Sequence, residues 1–154
     1  EEIRTKGGKS APRGPETSPP RLTDVRVKEA FTRDAQCIRE DRYLHEVREQ
    51  MSHSRFRSFP VVNEEGRLRG ILSQSDYEDI PADARPSART EKIATRNVVT
   101  VTEEETLFSA LGKISSGDFA ILPVIDPEDR KVLGVISRRD ILSAFHRFIS
   151  KEGP

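Results

Sequence analysis

The chain has 154 residues, with 26 basic and 26 acidic side chains and a formal net charge of zero. Only 34% of its residues are apolar and another 34% are charged, so the length allows one domain, or two small ones. The balance argues against a nucleic-acid partner, which needs surplus Lys and Arg to displace counterions, and the longest apolar stretch, 119–125, is far too short for direct membrane insertion.

The first 22 residues hold three apolar side chains, Ile3, Ala11 and Leu22, beside four prolines and three glycines. Such a stretch cannot bury enough surface to offset its ordering entropy, and reads as a flexible linker or arm over 1–22. The chain begins at Glu1 without Met or a signal-peptide pattern, which predicts a piece cut from something longer. Two similar blocks follow, 23–80 and 93–150, with a proline-containing linker over 81–92 between them and a tail over 151–154.

The blocks are repeats. A shift of 63 places Thr32-Arg33 on Thr95-Arg96, Glu40 on Glu103, Leu44 on Leu107, Phe56 on Phe119 and Pro60-Val61 on Pro123-Val124. One inserted residue then makes the shift 64, and Gly70, Ser73 and Asp76 fall on Gly134, Ser137 and Asp140.

Each block predicts the same order of elements. A short strand comes first, over 36–39 or 98–102. Leu44, Val47 and Met51, or Leu107, Leu111 and Ile114, then mark one face of a helix. The runs 59–62 and 122–125 suit buried strands with proline at the start, and a polar turn leads to strands over 68–73 and 132–137. The last helix covers 75–80 in the first block and 139–149 in the second. The fold class expected is α/β (α+β), built as β-α-β-β-α twice.

Two junctions carry the functional signal: Gly70-Ile71-Leu72-Ser73-Gln74-Ser75-Asp76 and Gly134-Val135-Ile136-Ser137-Arg138-Arg139-Asp140. A Ser three residues before an acid at a helix start caps the helix. The same hydroxyl and carboxylate can also hold a phosphate and a ribose diol. The two readings are compatible, and a cleft above the junction separates them.

These blocks, each preceded by an apolar-Pro-Val-apolar strand, resemble the CBS (cystathionine-β-synthase) domain, and the two copies resemble a CBS pair, or Bateman module, over residues 24–150. Lys92-Ile93-Ala94-Thr95-Arg96-Asn97-Val98-Val99-Thr100-Val101 and Lys131-Val132-Leu133-Gly134-Val135-Ile136-Ser137-Arg138-Arg139-Asp140 are further similar to the cytoplasmic CBS region of CLC chloride channels and transporters. Inosine monophosphate dehydrogenase and magnesium transporters carry similar pairs. The resemblance implies two repeats packed with pseudo-twofold symmetry around two clefts that take adenine nucleotides (ATP, ADP or AMP), with no obligatory cofactor. It also implies a cytoplasmic domain of an integral membrane protein, a transmembrane channel domain in the same parent chain, and a homodimer formed through CBS helices.

Carried over residue by residue, the first cleft comprises Ala35, Phe56, Arg57, Ser58, Ser137, Arg138 and Asp140. Phe56 would stack on the base, Asp140 would accept the ribose hydroxyls, and Arg57, Arg138 or Arg139 would reach phosphates. The second cleft comprises Val98, Phe119, Ala120, Ile121, Ser73 and Asp76. Ala120 and Ile121 there replace an arginine and a serine, so the first cleft is expected to bind nucleotide better and the second to bind weakly or to take a neutral nucleoside. Phe56 and Phe119 as plain core aromatics remain the alternative.

The remaining signals are weaker. His45, His53 and His146 show no metal-ligand spacing, and Glu103-Glu104-Glu105 reads as dipole complementarity at a helix start. The stripe Leu142, Phe145, Phe148 and Ile149 is a candidate dimer face. No nucleophile–base–acid constellation or Gly-rich phosphate loop is present, so a regulatory module is expected rather than an enzyme. A structural dimerisation module with vestigial clefts is the competing reading.

Overall fold

Two β-hairpins organise the chain. In the computed structural model the described residues are 21–152, so the stretch read as an arm lies outside them except for Arg21 and Leu22. The first repeat runs β1 (Ile38–Arg39), α1 (Leu44–Ser52), β2 (Ser58–Val62), β3 (Leu68–Ser73) and α2 (Gln74–Glu78). A 3-10 helix over Ala82–Ser87 and the single turn α3 (Thr90–Ile93) lead to α4 (Leu107–Gly117), β4 (Leu122–Ile125), β5 (Val132–Ile136) and α5 (Arg138–Glu152). The class is α+β, in two halves of one pattern.

β2 pairs antiparallel with β3 and parallel with β1, while β4 pairs antiparallel with β5. Both hairpins bulge at the same place, Val61/Val62 and Val124/Ile125, so the repeat extends to irregularities. The strand expected over 98–102 shrinks to one parallel bridge, Val101 with Val124. Thr95 is bonded to Ile71 of the first repeat, so residues 96–100 cross from one sheet to the other with no strand beside them. The helix expected over 75–80 ends at Glu78 because Pro81 follows. α5 meets no such stop and passes the expected end at 149.

Apolar periodicity builds two cores. Leu44, Val47 and Met51 of α1 pack with Ile38, Phe59, Val61, Leu72 and Tyr77. Leu107, Ala110 and Ile114 of α4 pack with Leu122, Val124, Ile136, Ile141 and Ala144. Each core is closed by chain from the other half. Val25, Val27 and Phe31 are buried in the second core, and Ala88, Ile93 and Ala94 pack on the first.

Backbone bonds repeat this exchange in pairs. Leu107 N donates to Val25 O and Val27 N to Glu105 O; in mirror, Leu44 N donates to Ala88 O and Thr90 N to Arg42 O, each at 2.8 or 2.9 Å. The proline-containing stretch between the repeats thus ends in a second copy of the segment that leads into the first repeat.

Gly70 and Gly134 are needed where these segments cross the hairpins. A Cβ at Gly70 would stand 2.7 Å from Thr95 O, and one at Gly134 would overlap Thr32 O and press on the Phe31 ring. Glu103, Glu104 and Glu105 lie before the Thr106 N-cap of α4, so first-turn dipole complementarity does not account for them. They face the exchanged segment and the helix instead: Glu103 pairs with Arg33, Glu104 with Lys28, and Glu105 with Lys113. Burial pushes the Glu105 carboxyl up, but bonds from Lys113, Ser109 and the Thr102 N–H outweigh it and leave the carboxyl below its ordinary range.

Candidate functional site

Between the repeats lie two cavities that share a wall. The first, of about 250 Å³, is lined by Ser73, Asp76, Val98, Phe119, Ala120 and Ile121, the whole set expected for the second cleft. Thr95, Asn97, Val99, Ile71 and Ser58 complete it. Among the described residues no Lys or Arg lines it. The other, of about 260 Å³, corresponds to the first cleft and gathers Phe56, Arg57 and Ser137 with Arg55, Arg139, Ala120 and Ile121.

Four residues expected in the first cleft line no part of that cavity. Ser58 faces the second cleft, because residues alternate across β2 and Arg57 takes the other side. Arg138 reaches Asp118 at 3.8 Å while Arg139 lines the cavity in its place. Ala35 is half-buried and lines neither cavity. Asp140 is already engaged. Its Oδ1 accepts from Thr32 Oγ1 at 3.0 Å, and its Oδ2 accepts from the Ser137 N–H at 2.9 Å and the Ser137 hydroxyl at 3.1 Å.

Asp76 is engaged on one side only. Its Oδ2 accepts from the Ser73 N–H at 3.1 Å, and its own N–H donates to Ser73 Oγ at 3.0 Å. Asp76 Oδ1 has no partner among the described residues, and Asp76 lines the cavity. Ser73–Asp76 and Ser137–Asp140 are therefore both capping boxes, and only the former also offers a free carboxylate oxygen. Phe56 and Phe119 are half-buried; each rests on a core and shows part of its ring to a cavity.

Comparison with known proteins settles what these repeats are. The CBS domain family matches residues 27–79 and 91–147. The chain belongs to the CBS domain family. The CBS pair of protein MJ0100, solved in complex with 5'-methylthioadenosine and S-adenosyl-L-methionine, is 27% identical with a TM-score of 0.68, covering 80% of this chain and 97% of that one. The cytosolic domain of the Mg²⁺ channel MgtE, solved in complex with ATP, is 26% identical with a TM-score of 0.66, covering 74% of this chain and 46% of that one. Among curated proteins, a homoserine O-acetyltransferase of Methanohalobium evestigatum is 30% identical over 127 residues, 82% of this chain and 25% of its own length. The chain spans about a quarter of the length of the first curated relatives it matches.

Within this CBS pair, several cavity residues carry no signature of their own in the sequence. Thr95, and Thr32 which bonds Asp140 without lining a cavity, are visible there only as a repeat identity; their place follows from the exchanged segments, which deliver them to the edges of β3 and β5. Val99 falls within the strand expected over 98–102 and Asn97 just before it, whereas the chain there spans the gap between the sheets. Arg55, before β2, has Asp118 as its counterpart, so no repeat comparison marks it. Among the described residues no cluster of His, Cys, Asp and Glu is arranged to hold a metal ion, and no helix is long and apolar enough to cross a membrane.

Proposed function

We propose that this CBS pair is a regulatory module that senses an adenine nucleotide or nucleoside between its repeats and passes the result on as a change in their packing. The observation that carries the reading is the cavity beside Asp76, where an aromatic ring, three hydroxyl side chains and a carboxylate with a free oxygen meet. Phe119 supplies a stacking face for a base, and Asp76 Oδ1 an acceptor for a ribose hydroxyl. Its likeness to pairs solved with adenosyl compounds and with ATP supports the same ligand class.

The absence of Lys and Arg from the walls favours the nucleoside part of the ligand at this cleft. The other cleft has Arg57 and Arg139 for phosphates. Calorimetric titration of the full chain with ATP, ADP, AMP and adenosine tests the reading, with binding below millimolar expected for at least one. No binding by any of the four would sink it. A ligand regulates only through unequal affinity for two arrangements, so small-angle scattering with and without ligand completes the test.

A second reading, dimerisation with vestigial clefts, is favoured by one observation. Phe108, Leu142 and Ile149 on α4 and α5 are exposed at 62%, 69% and 47%, although Phe148 from the same stripe packs on the core. The two roles coexist if a second copy covers this face. For the host, the sequence similarity of 92–101 and 131–140 to CLC proteins favours a chloride channel or transporter with this pair on its cytoplasmic side. Several apolar spans upstream of the pair in the encoding gene would support that host, while a βα-barrel pattern would support a dehydrogenase.

A further inference from the structure

The two clefts differ in one respect that repeat symmetry does not predict. At the first, the Arg55 guanidinium lies over the Phe56 ring, 4.5 Å from its centroid. Its Nη2 donates to Thr32 Oγ1 at 3.4 Å, and Thr32 Oγ1 donates in turn to Asp140 Oδ1 at 3.0 Å. Every group a nucleoside would use there is taken: the aromatic face by a planar cation, the hydroxyl by that cation, and the carboxylate by the hydroxyl and Ser137. At the other cleft the counterpart of Arg55 is Asp118, 96% exposed in a left-handed turn. Among the described residues no cation lies over Phe119.

We infer that Arg55 is a built-in occupant of the first cleft, a side-chain plug that a base must displace before it can stack on Phe56. A guanidinium is flat and delocalised, so it stacks on an arene in the manner of a heterocycle. The inference rests on the adenine-ligand reading and adds to it an order of filling. The cleft beside Asp76 fills first, and the cleft beside Phe56 fills at higher ligand concentration, with Arg55 released. Once free, the guanidinium stands beside Arg57 and Arg139 on the same cavity wall, so the displaced plug becomes a contact for the ligand's phosphates. The first cleft therefore accepts a nucleotide on better terms than a bare nucleoside, because only the nucleotide gives Arg55 a new partner.

The experiment is calorimetry on the full chain carrying Asp76→Ala, which removes the ribose acceptor of the other cleft, titrated with adenosine and with AMP. Adding Arg55→Ala, or Arg55→Gln as a longer replacement, is expected to tighten adenosine about tenfold, equivalent to the loss of one stacking and hydrogen-bonding competitor. AMP should gain less, because it loses a phosphate contact. Arg55 is exposed, so the variants should fold, and the lost contacts with Phe56 and Thr32 should lower the ligand-free midpoint by only a few degrees. Unchanged or weaker adenosine binding overturns the inference while leaving the sensing role in place. No binding of any adenine compound to wild type or variants overturns the sensing role and the inference with it. Without ligand, the Arg55 side-chain N–H resonances should be displaced by the Phe56 ring and return toward ordinary values in Phe56→Leu. Undisplaced resonances in the wild type overturn the plug directly.

Discussion

Thr32 Oγ1 donates to Asp140 Oδ1 at 3.0 Å across 108 residues of chain, whereas Thr95, its counterpart in the other repeat, makes no such bond to Asp76 among the described residues. The repeats thus share a backbone plan and differ in what their polar side chains have left to offer. That difference divides a latched cleft from an open one.

Thr32→Val removes the latch and leaves an acceptor on Asp140 half-satisfied. A loss of about 1 kcal/mol is expected, read as a lower urea midpoint with an unchanged slope. Thr95→Val should cost less than half as much. Equal losses would show that the Thr32–Asp140 bond contributes nothing of its own.

Gly134→Ala should destabilise the chain by about 2 kcal/mol or more, because the added methyl meets the Thr32 carbonyl and the Phe31 ring. Gly70→Ala, facing Thr95 O at 2.7 Å and Ala94, should cost less. Calorimetric melting of both variants checks the order. A Gly134→Ala protein as stable as wild type would refute the close crossing.

Thr90 is fully buried and its hydroxyl has no partner among the described residues. Its counterpart Val27 is equally buried in the other core. An unpaired buried hydroxyl costs roughly 1–3 kcal/mol, so Thr90→Val is expected to raise stability by about 1 kcal/mol. Denaturant midpoints decide it, and a fall on substitution would show that the hydroxyl is satisfied in solution.

Burial pushes the Cys37 thiol up to about 11, against roughly 8.5 in an unfolded chain. The thiolate is thus favoured by the unfolded state, and stability should fall as pH rises from about 8.5 toward 11. At pH 8.5, alkylation of the folded chain should be about 100-fold slower than in denaturant. Equal rates would contradict the burial.

Leu142→Glu tests the exposed helix face. If a second copy covers it, sedimentation should give a dimer for wild type and a folded monomer for the variant, because Leu142 is 69% exposed in the single chain. A wild-type monomer at tens of micromolar would remove this face from consideration.

Much of the fold was legible because repetition doubled every weak signal. A lone Leu-x-x-Val-x-x-x-Met pattern is ordinary, but the same spacing 63 residues on, followed by the same Pro-Val strand, fixes the order of elements. What the sequence concealed is long-range. Nothing in Val25 or Ala88 says that each completes the core of the other repeat, because burial of one apolar residue carries no address. The site was legible to the same depth. Phe119, Ser73 and Asp76 line one cavity as the family resemblance implies, and charge counting favours the other, arginine-rich cleft. It is silent on whether an arginine waits for a ligand or, like Arg55, already occupies the ligand's place.

The exchanged leading segments also set how the molecule comes apart. Neither repeat can leave the other without stripping Val25, Val27 and Phe31, or Ala88, Ile93 and Ala94, from a core. Melting should therefore be a single event, and a chain severed near residue 80 should yield halves that recover structure only when mixed. Leu68 and Val132 are tied to Arg130 and Gly66 across a β3–β5 seam, so under the proposed sensing role the expected motion is a tilt about that seam. What such a module can deliver to a neighbouring domain is a change of angle, never a separation of its parts.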